Sequence, residues 1–206
     1  MAGPGIRGLY VITPDWRDTV KLLVAARAAI EGGAKVLQYR NKVASAGQRL
    51  EHALGLSAVC AKFGALFIVN DHLDLALEVE ADGVHLGGTD GDIGAARALL
   101  GPDAIIGASC YDQLANAERA VAEGASYVAF GAFFPTTTKV TSSRATPDLL
   151  RQSAALGVPR VAIGGLSPDN VGPIIAAGAD LVAVVSGIFA APDPVATQRA
   201  FLAQFP

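Results

Sequence analysis

The sequence predicts an α/β chain folded as a single (β/α)8 TIM barrel, and three observations carry that prediction. Eight short runs rich in Val, Ile, Leu, Phe and Tyr recur along 206 residues, about 25 residues per unit. Ala- and Leu-rich stretches with helical spacing separate them. Several of these stretches end in a glycine just before the next run, where a left-handed residue closes a helix. A doubly wound sheet uses the same alternation, but the count of eight favours the barrel, as one domain over residues 1–206.

Each unit can be placed in order. Gly8–Pro14 is the first strand, and Leu22, Ala25, Ala26, Ala29 and Ile30 form the apolar face of the next helix, which stops at Gly32-Gly33. Val36–Lys42, Leu66–Asp71, Gly83–Gly88 and Ile105–Cys110 are strands two to five. A helix closing at Gly124 leads into strand six, Tyr127–Phe133, and strand seven is Arg160–Leu166. Ser167-Pro168-Asp169 then reads as a cap, a first-turn proline and an acidic first turn of a helix closing at Gly178. Leu181–Ile188 is the eighth strand.

Composition narrows the function classes. Hydrophobic residues make up 51% and charged residues 17%, which argues for a packed core and against disorder. The net charge of −3 gives no basis for binding nucleic acid or an acidic membrane surface, so an anion site must be built from local cations, backbone amides or a metal. Cys60 and Cys110 have neither paired nor metal-ligand spacing. No apolar run reaches membrane-spanning length, and Met1 to Arg7 lacks the pattern of a leader. A soluble, cytoplasmic protein with no membrane partner is expected.

The most informative segment is Gln38-Tyr39-Arg40-Asn41-Lys42, at the end of strand two. Strand alternation predicts that Gln38, Arg40 and Lys42 share one face while Tyr39 and Asn41 take the other. Two cations and an amide there read either as a phosphate or diphosphate cradle or as a solvated strand rim. The polar residues at the other strand ends favour the cradle, because chemistry in this fold sits at that rim. They are Asn70-Asp71, Gly87-Gly88-Thr89-Asp90, Ser109, Thr136-Thr137-Thr138-Lys139, Gly164-Gly165 and Val185-Ser186-Gly187. Asp71 and Asp90 come from neighbouring units and suit a hard cation such as Mg²⁺, although Asp71 could instead cap a helix. Gly164-Gly165 and Ser186-Gly187 read as a phosphate loop or as tight turns.

Gln38-x-Arg40-x-Lys42, Asn70-Asp71, Asp90, Ser109, Thr136-x-Thr138-Lys139, Gly164-Gly165 and Val185-Ser186, in this order and spacing, resemble the thiamine phosphate synthase family from Gly8 to Ile188. The resemblance implies a transferase with two phosphorylated small-molecule substrates. These are 4-amino-2-methyl-5-hydroxymethylpyrimidine diphosphate and 4-methyl-5-(2-hydroxyethyl)thiazole phosphate, giving thiamine phosphate and pyrophosphate. It implies that Gln38, Tyr39, Arg40, Asn41, Lys42, Asn70, Ser109 and Lys139 hold the pyrimidine diphosphate. Thr136, Thr137, Thr138, Gly165, Val185 and Ser186 would hold the thiazole phosphate, and Asp71 and Asp90 the Mg²⁺. Arg40, Lys42, Lys139 and Ser109 are the expected catalytic groups. The loop from Thr136 to Thr146 is the expected lid, and a homo-oligomer is compatible with the chain.

Gly88 and Tyr111 depart from the family pattern, where glutamine and histidine are usual. Two rivals share the scaffold: a thiazole tautomerase that binds only thiazole phosphate, and a non-catalytic phosphate-binding regulator. The retained Arg40, Lys42, Lys139 and both aspartates favour the synthase. His85 reads as a packed, hydrogen-bonded histidine, His52 and His72 as packing or surface residues on helical stretches, and Trp16 as lining the mouth or covering the core. Cys110 has no base at motif spacing.

Overall fold

A computed structural model describes residues 6–87, 91–136 and 142–206. Eight parallel strands close on themselves in sequence order, β1 (Gly8–Ile12), β2 (Val36–Tyr39), β3 (Leu66–Asn70), β4 (Gly83–Leu86), β5 (Ile105–Tyr111), β6 (Tyr127–Phe130), β7 (Arg160–Ile163) and β8 (Leu181–Val184). The closing pair is β1 with β8, in register from Gly8 opposite Leu181 to Val11 opposite Val184. Helices α1 (Thr19–Glu31), α2 (Ala46–Phe63), α3 (Leu73–Glu78), α4 (Ile93–Leu100), α5 (Leu114–Ala122), α6 (Pro147–Gln152), α7 (Gly172–Ala176) and α8 (Ser186–Phe189) succeed the strands in turn. A last helix, α9 (Pro194–Leu202), packs against α1 and α8.

All eight strands begin where the sequence predicts, but seven end earlier. Residues just past the strands account for the difference. Phe133, Phe134 and Leu166 are apolar because they pack onto the layer between barrel and helices, not because they pair in the sheet. Ser167 also departs from expectation: its carbonyl accepts from Asn170 and Val171, closing a turn, and α7 starts only at Gly172. The expected glycines do take left-handed backbone after their helices, with φ of 108° at Gly33, 102° at Gly124 and 111° at Gly178.

Strand alternation divides the core into two layers. Leu9, Val11, Leu37, Tyr39, Phe67 and Val69 face the helices, against Leu22, Ala26, Ala53, Leu56 and Phe201. Tyr10, Ile12, Val36, Ile68, Tyr127, Val161 and Leu181 fill the barrel interior. Gly107 is what admits the Tyr127 ring, because a Cβ there would lie 2.0 Å from its Cζ. Side-chain caps start four helices: Asp18 accepts from the Lys21 amide, Ser45 from Gln48, Asp92 from Ala95 and Asp193 from Ala196. Trp16 meets Phe189 edge to face at 5.9 Å and so covers the core near α8. No helix among the described residues is long and apolar enough to cross a membrane.

His52 is fully buried on α2, and its Nδ1 shares a 3.1 Å hydrogen bond with the Tyr39 hydroxyl. Burial holds its pKa below the ordinary histidine value. The unfolded chain therefore takes up a proton below about pH 6.5 that the folded chain refuses, and stability falls as the pH falls. Melting temperatures of wild type and His52→Asn between pH 7.5 and 5.5 check this: the acid-side loss is expected to be smaller in the variant.

Candidate active site

The strands' carboxyl ends surround a cavity of about 220 Å³. Eight of the residues expected to bind substrate line it: Gln38, Arg40, Asn70, Ser109, Thr136, Gly165, Val185 and Ser186. They come from strands or strand ends all round the barrel, so they meet only because the sheet closes. Arg40 is the only Lys or Arg among the described lining residues.

The wall has two chemically different sides. From β2 to β5 it presents Gln38, Arg40, Asn70, His85, Ser109 and Tyr111. From β6 to β8 it presents mainly small or apolar residues, among them Ala129, Val161, Ile163 and Ala183, with backbone exposed at Gly164 and Gly165. Gly165 has φ of 63°, and a Cβ on it would stand 2.4 Å from the Pro135 carbonyl oxygen, so the turn requires glycine. The Asn170 amide donates to the Gly165 carbonyl and fixes that turn from below.

A buried hydrogen-bond chain forms the floor. Gln38 Nε2 donates to the Tyr10 hydroxyl at 2.8 Å, and the Tyr10 and Tyr127 hydroxyls share a 2.8 Å bond. Tyr127 is in turn 2.8 Å from His85 Nδ1, and His85 Nε2 is 2.9 Å from Ser109 Oγ. Burial pushes the phenols of Tyr10 and Tyr127 upward, which keeps both protonated. The expected packed, hydrogen-bonded His85 is found, and it also faces the cavity. Sequence reasoning missed Tyr10 and Tyr127, because an aromatic inside an apolar strand reads as ordinary core. The available signal was their phase: both belong to the inward set.

The β2 end corrects part of the sequence reading. The strand stops at Tyr39, so alternation no longer governs the residues after Arg40. Tyr39 points into the helix layer toward His52 and away from the cavity. Asn41 is also turned to structure: its Nδ2 donates to the Trp16 carbonyl at 2.7 Å, and its Oδ1 accepts from the Val43 and Ala44 amides at 3.0 Å each. Lys42 is exposed and does not line the cavity. Its amide donates to Asp15 Oδ1 at 2.8 Å.

Asp71 lies just past β3 with φ of 61°, and its Oδ2 accepts from Asn70 Nδ2 at 2.5 Å. The N-cap position of α3 belongs to His72, not Asp71. Asp71 is a hard oxygen donor, and no group of three His, Cys, Asp or Glu side chains capable of holding a metal occurs among the described residues. Such a donor suits a cation that completes its shell with water and phosphate oxygens. Asp90, Gly88, Thr137, Thr138 and Lys139 lie outside the described residues, as does part of the expected lid. The far end of that loop is tied down: Asp112 Oδ2 accepts from the Arg144 amide at 3.1 Å, and the Ala145 amide donates to the Ala132 carbonyl at 3.1 Å. Hydrogen bonds from Gln113 and from Arg144 hold the Asp112 carboxyl below its ordinary value. Tyr111, at one family-variable position, lines the cavity with φ of 56°. Cys110 is buried with its thiol pushed up to about 12, so it is no nucleophile.

Comparison with known proteins shows the family. Residues 9–188 match the family model described as thiamine monophosphate synthase. A thiamine-phosphate synthase of Xanthomonas campestris pv. campestris is 58% identical over 199 residues, covering 97% of this chain and 96% of that protein. A second, from Xylella fastidiosa, is 54% identical over 98% of this chain and 86% of its own length. Among solved structures, a thiamine phosphate pyrophosphorylase from Pyrococcus furiosus is 35% identical with a TM-score of 0.85, covering 97% of this chain and 96% of that one.

The buried chain makes a prediction. Tyr127→Phe keeps the ring but removes the buried hydroxyl that bonds both the Tyr10 hydroxyl and His85 Nδ1. Urea unfolding should show a loss of about 1–3 kcal/mol.

Proposed function

Because the chain belongs to the thiamine monophosphate synthase family, we propose that it joins 4-amino-2-methyl-5-hydroxymethylpyrimidine diphosphate to 4-methyl-5-(2-hydroxyethyl)thiazole phosphate. The products are thiamine phosphate and pyrophosphate. The observation that carries this reading is the divided cavity, with an amide, a hydroxyl and a guanidinium on one side and a glycine turn on the other. It offers separate places for a polar pyrimidine diphosphate and for a second, phosphate-bearing ring.

The chemistry needs little from the protein beyond position and charge. The 4-amino group feeds electrons into the pyrimidine ring, so the exocyclic carbon bears positive charge as its bond to the diphosphate oxygen breaks. The electron pair leaves with the diphosphate. The thiazole nitrogen then gives its lone pair to that carbon and becomes quaternary. It has no proton to lose, so no general base is required. Gln38, Asn70 and Ser109 orient the pyrimidine, and the hydrogen bond shared with His85 holds Ser109 in place. Arg40, with Lys42 at the rim and Lys139, meets the charge that develops on the leaving group. Thr136, Gly165, Val185 and Ser186, with Thr137 and Thr138, hold the thiazole phosphate. The apolar side formed by Ala129, Val161, Ile163 and Ala183 limits water near the cation.

Mg²⁺ belongs to this reading, held by Asp71 and Asp90. When bound it neutralises charge on the diphosphate. The loop to Thr146 serves as the lid, anchored at Arg144. The two buried free cysteines fit a reducing cytoplasm.

Pyrophosphate release by purified protein, with each component omitted in turn, tests the proposal. Release should require both precursors and Mg²⁺. Arg40→Ala should lower kcat/KM about 100-fold or more, and Asp71→Ala should raise the Mg²⁺ needed for half-maximal rate. Release that persists without the thiazole phosphate would contradict the reading.

A further inference from the structure

Arg40 reaches the cavity with a carboxylate already beside it. Asp15 sits just after β1, in the loop that runs alongside the end of β2. Its Oδ2 lies 3.7 Å from Arg40 Nη1, while its Oδ1 accepts the Lys42 amide at 2.8 Å. The same loop holds this segment at three more points. Thr13 Oγ1 accepts from the Arg40 amide at 2.9 Å and donates to the Arg40 carbonyl at 3.0 Å, and the Trp16 carbonyl accepts from Asn41. The backbone on both sides of Arg40 is therefore fixed without any help from an ion pair. The second oxygen of Asp15 is left to act on the guanidinium alone.

Resting on the synthase reading of the cavity, we propose that Asp15 is a positioning residue and resident competitor for Arg40. It aims the guanidinium before substrate arrives, and it weakens the arginine's hold on pyrophosphate after the reaction. The reasoning is electrostatic. An arginine facing a diphosphate with no nearby carboxylate gives the anion its full charge. With Asp15 alongside, part of that charge is already balanced, and the anion must share the guanidinium. Product and substrate both carry the diphosphate. A residue that loosens it gives up part of what Arg40 supplies at the bond-breaking step, and in return it speeds departure of the product. Asp15 is not among the residues lining the cavity, so it acts through Arg40 rather than by touching the ligand.

Two substitutions separate the two oxygens' tasks. Asp15→Asn keeps an oxygen that can accept the Lys42 amide but removes the charge. Asp15→Ala removes both. Binding of inorganic pyrophosphate, at fixed Mg²⁺, is measured by titration calorimetry for wild type, Asp15→Asn, Asp15→Ala, Arg40→Gln and the double variant Asp15→Asn/Arg40→Gln. Asp15→Asn should bind pyrophosphate about three- to fivefold more tightly than wild type, the size expected for a partly exposed ion pair. Its melting temperature should be unchanged. In the Arg40→Gln background the same substitution should no longer tighten binding, because its effect passes through Arg40. Asp15→Ala should show a higher KM for the pyrimidine diphosphate than Asp15→Asn, since the segment carrying Lys42 is freed. Equal affinities in wild type and Asp15→Asn, or tightening that survives removal of Arg40, would overturn the role of Asp15 and leave the cavity's function standing. If wild type binds no pyrophosphate, the synthase reading itself fails.

Discussion

Pairing of β1 with β8 is the constraint on which everything else depends. Closure gives strand alternation an absolute meaning, since each residue then faces either the barrel interior or the helices. Tyr10 and Tyr127 stand 117 positions apart in the chain, and closure makes them hydrogen-bond partners. Because all eight strands run the same way, their carboxyl ends form one rim. Polar residues that are scattered in sequence become neighbours there.

The interior illustrates how a polar floor can be built inside an apolar barrel. Gln38, Tyr10, Tyr127, His85 and Ser109 would each be costly to bury alone. Linked in one chain, each satisfies its neighbour, and the cost is offset. Space for the chain comes from a missing side chain, at Gly107. The floor is consequently rigid, and the groups it presents upward, Gln38 and Ser109, are held from behind. The positively charged part of the site is held differently. Arg40 lies beyond the end of its strand, and the neighbouring loop of Thr13, Asp15 and Trp16 pins the backbone around it.

Much of this was legible in the sequence, for physical reasons that also explain the gaps. Most strand starts follow a left-handed glycine and then a sharp rise in hydrophobicity, and all eight were placed correctly. Strand ends were not: after β6 and β7, Phe133 and Leu166 stay apolar to cover the helix layer after the chain has left the sheet. The inward side chains Gln38 and Arg40 followed from alternation. Tyr39 and Asn41 are their neighbours in the motif, but their side chains complete the packing around α2 and the β1 loop. Tyr10 and Tyr127 were invisible as polar residues because a phenol within an apolar strand carries no sign of its partner. Asp15 was missed because its role depends on two loops meeting.

The central claim is that one cavity holds a diphosphate at Arg40 and a phosphate at the Gly165 and Ser186 turns. A crystal structure of the protein with thiamine phosphate and pyrophosphate tests it most directly. The account predicts pyrophosphate against Arg40, the pyrimidine ring beside Gln38 and Ser109, and the ester phosphate against the backbone at Gly165 and Ser186. Both anions bound at the same end of the cavity, or a product ring lying outside the wall formed by Gln38 and Ser109, would contradict it.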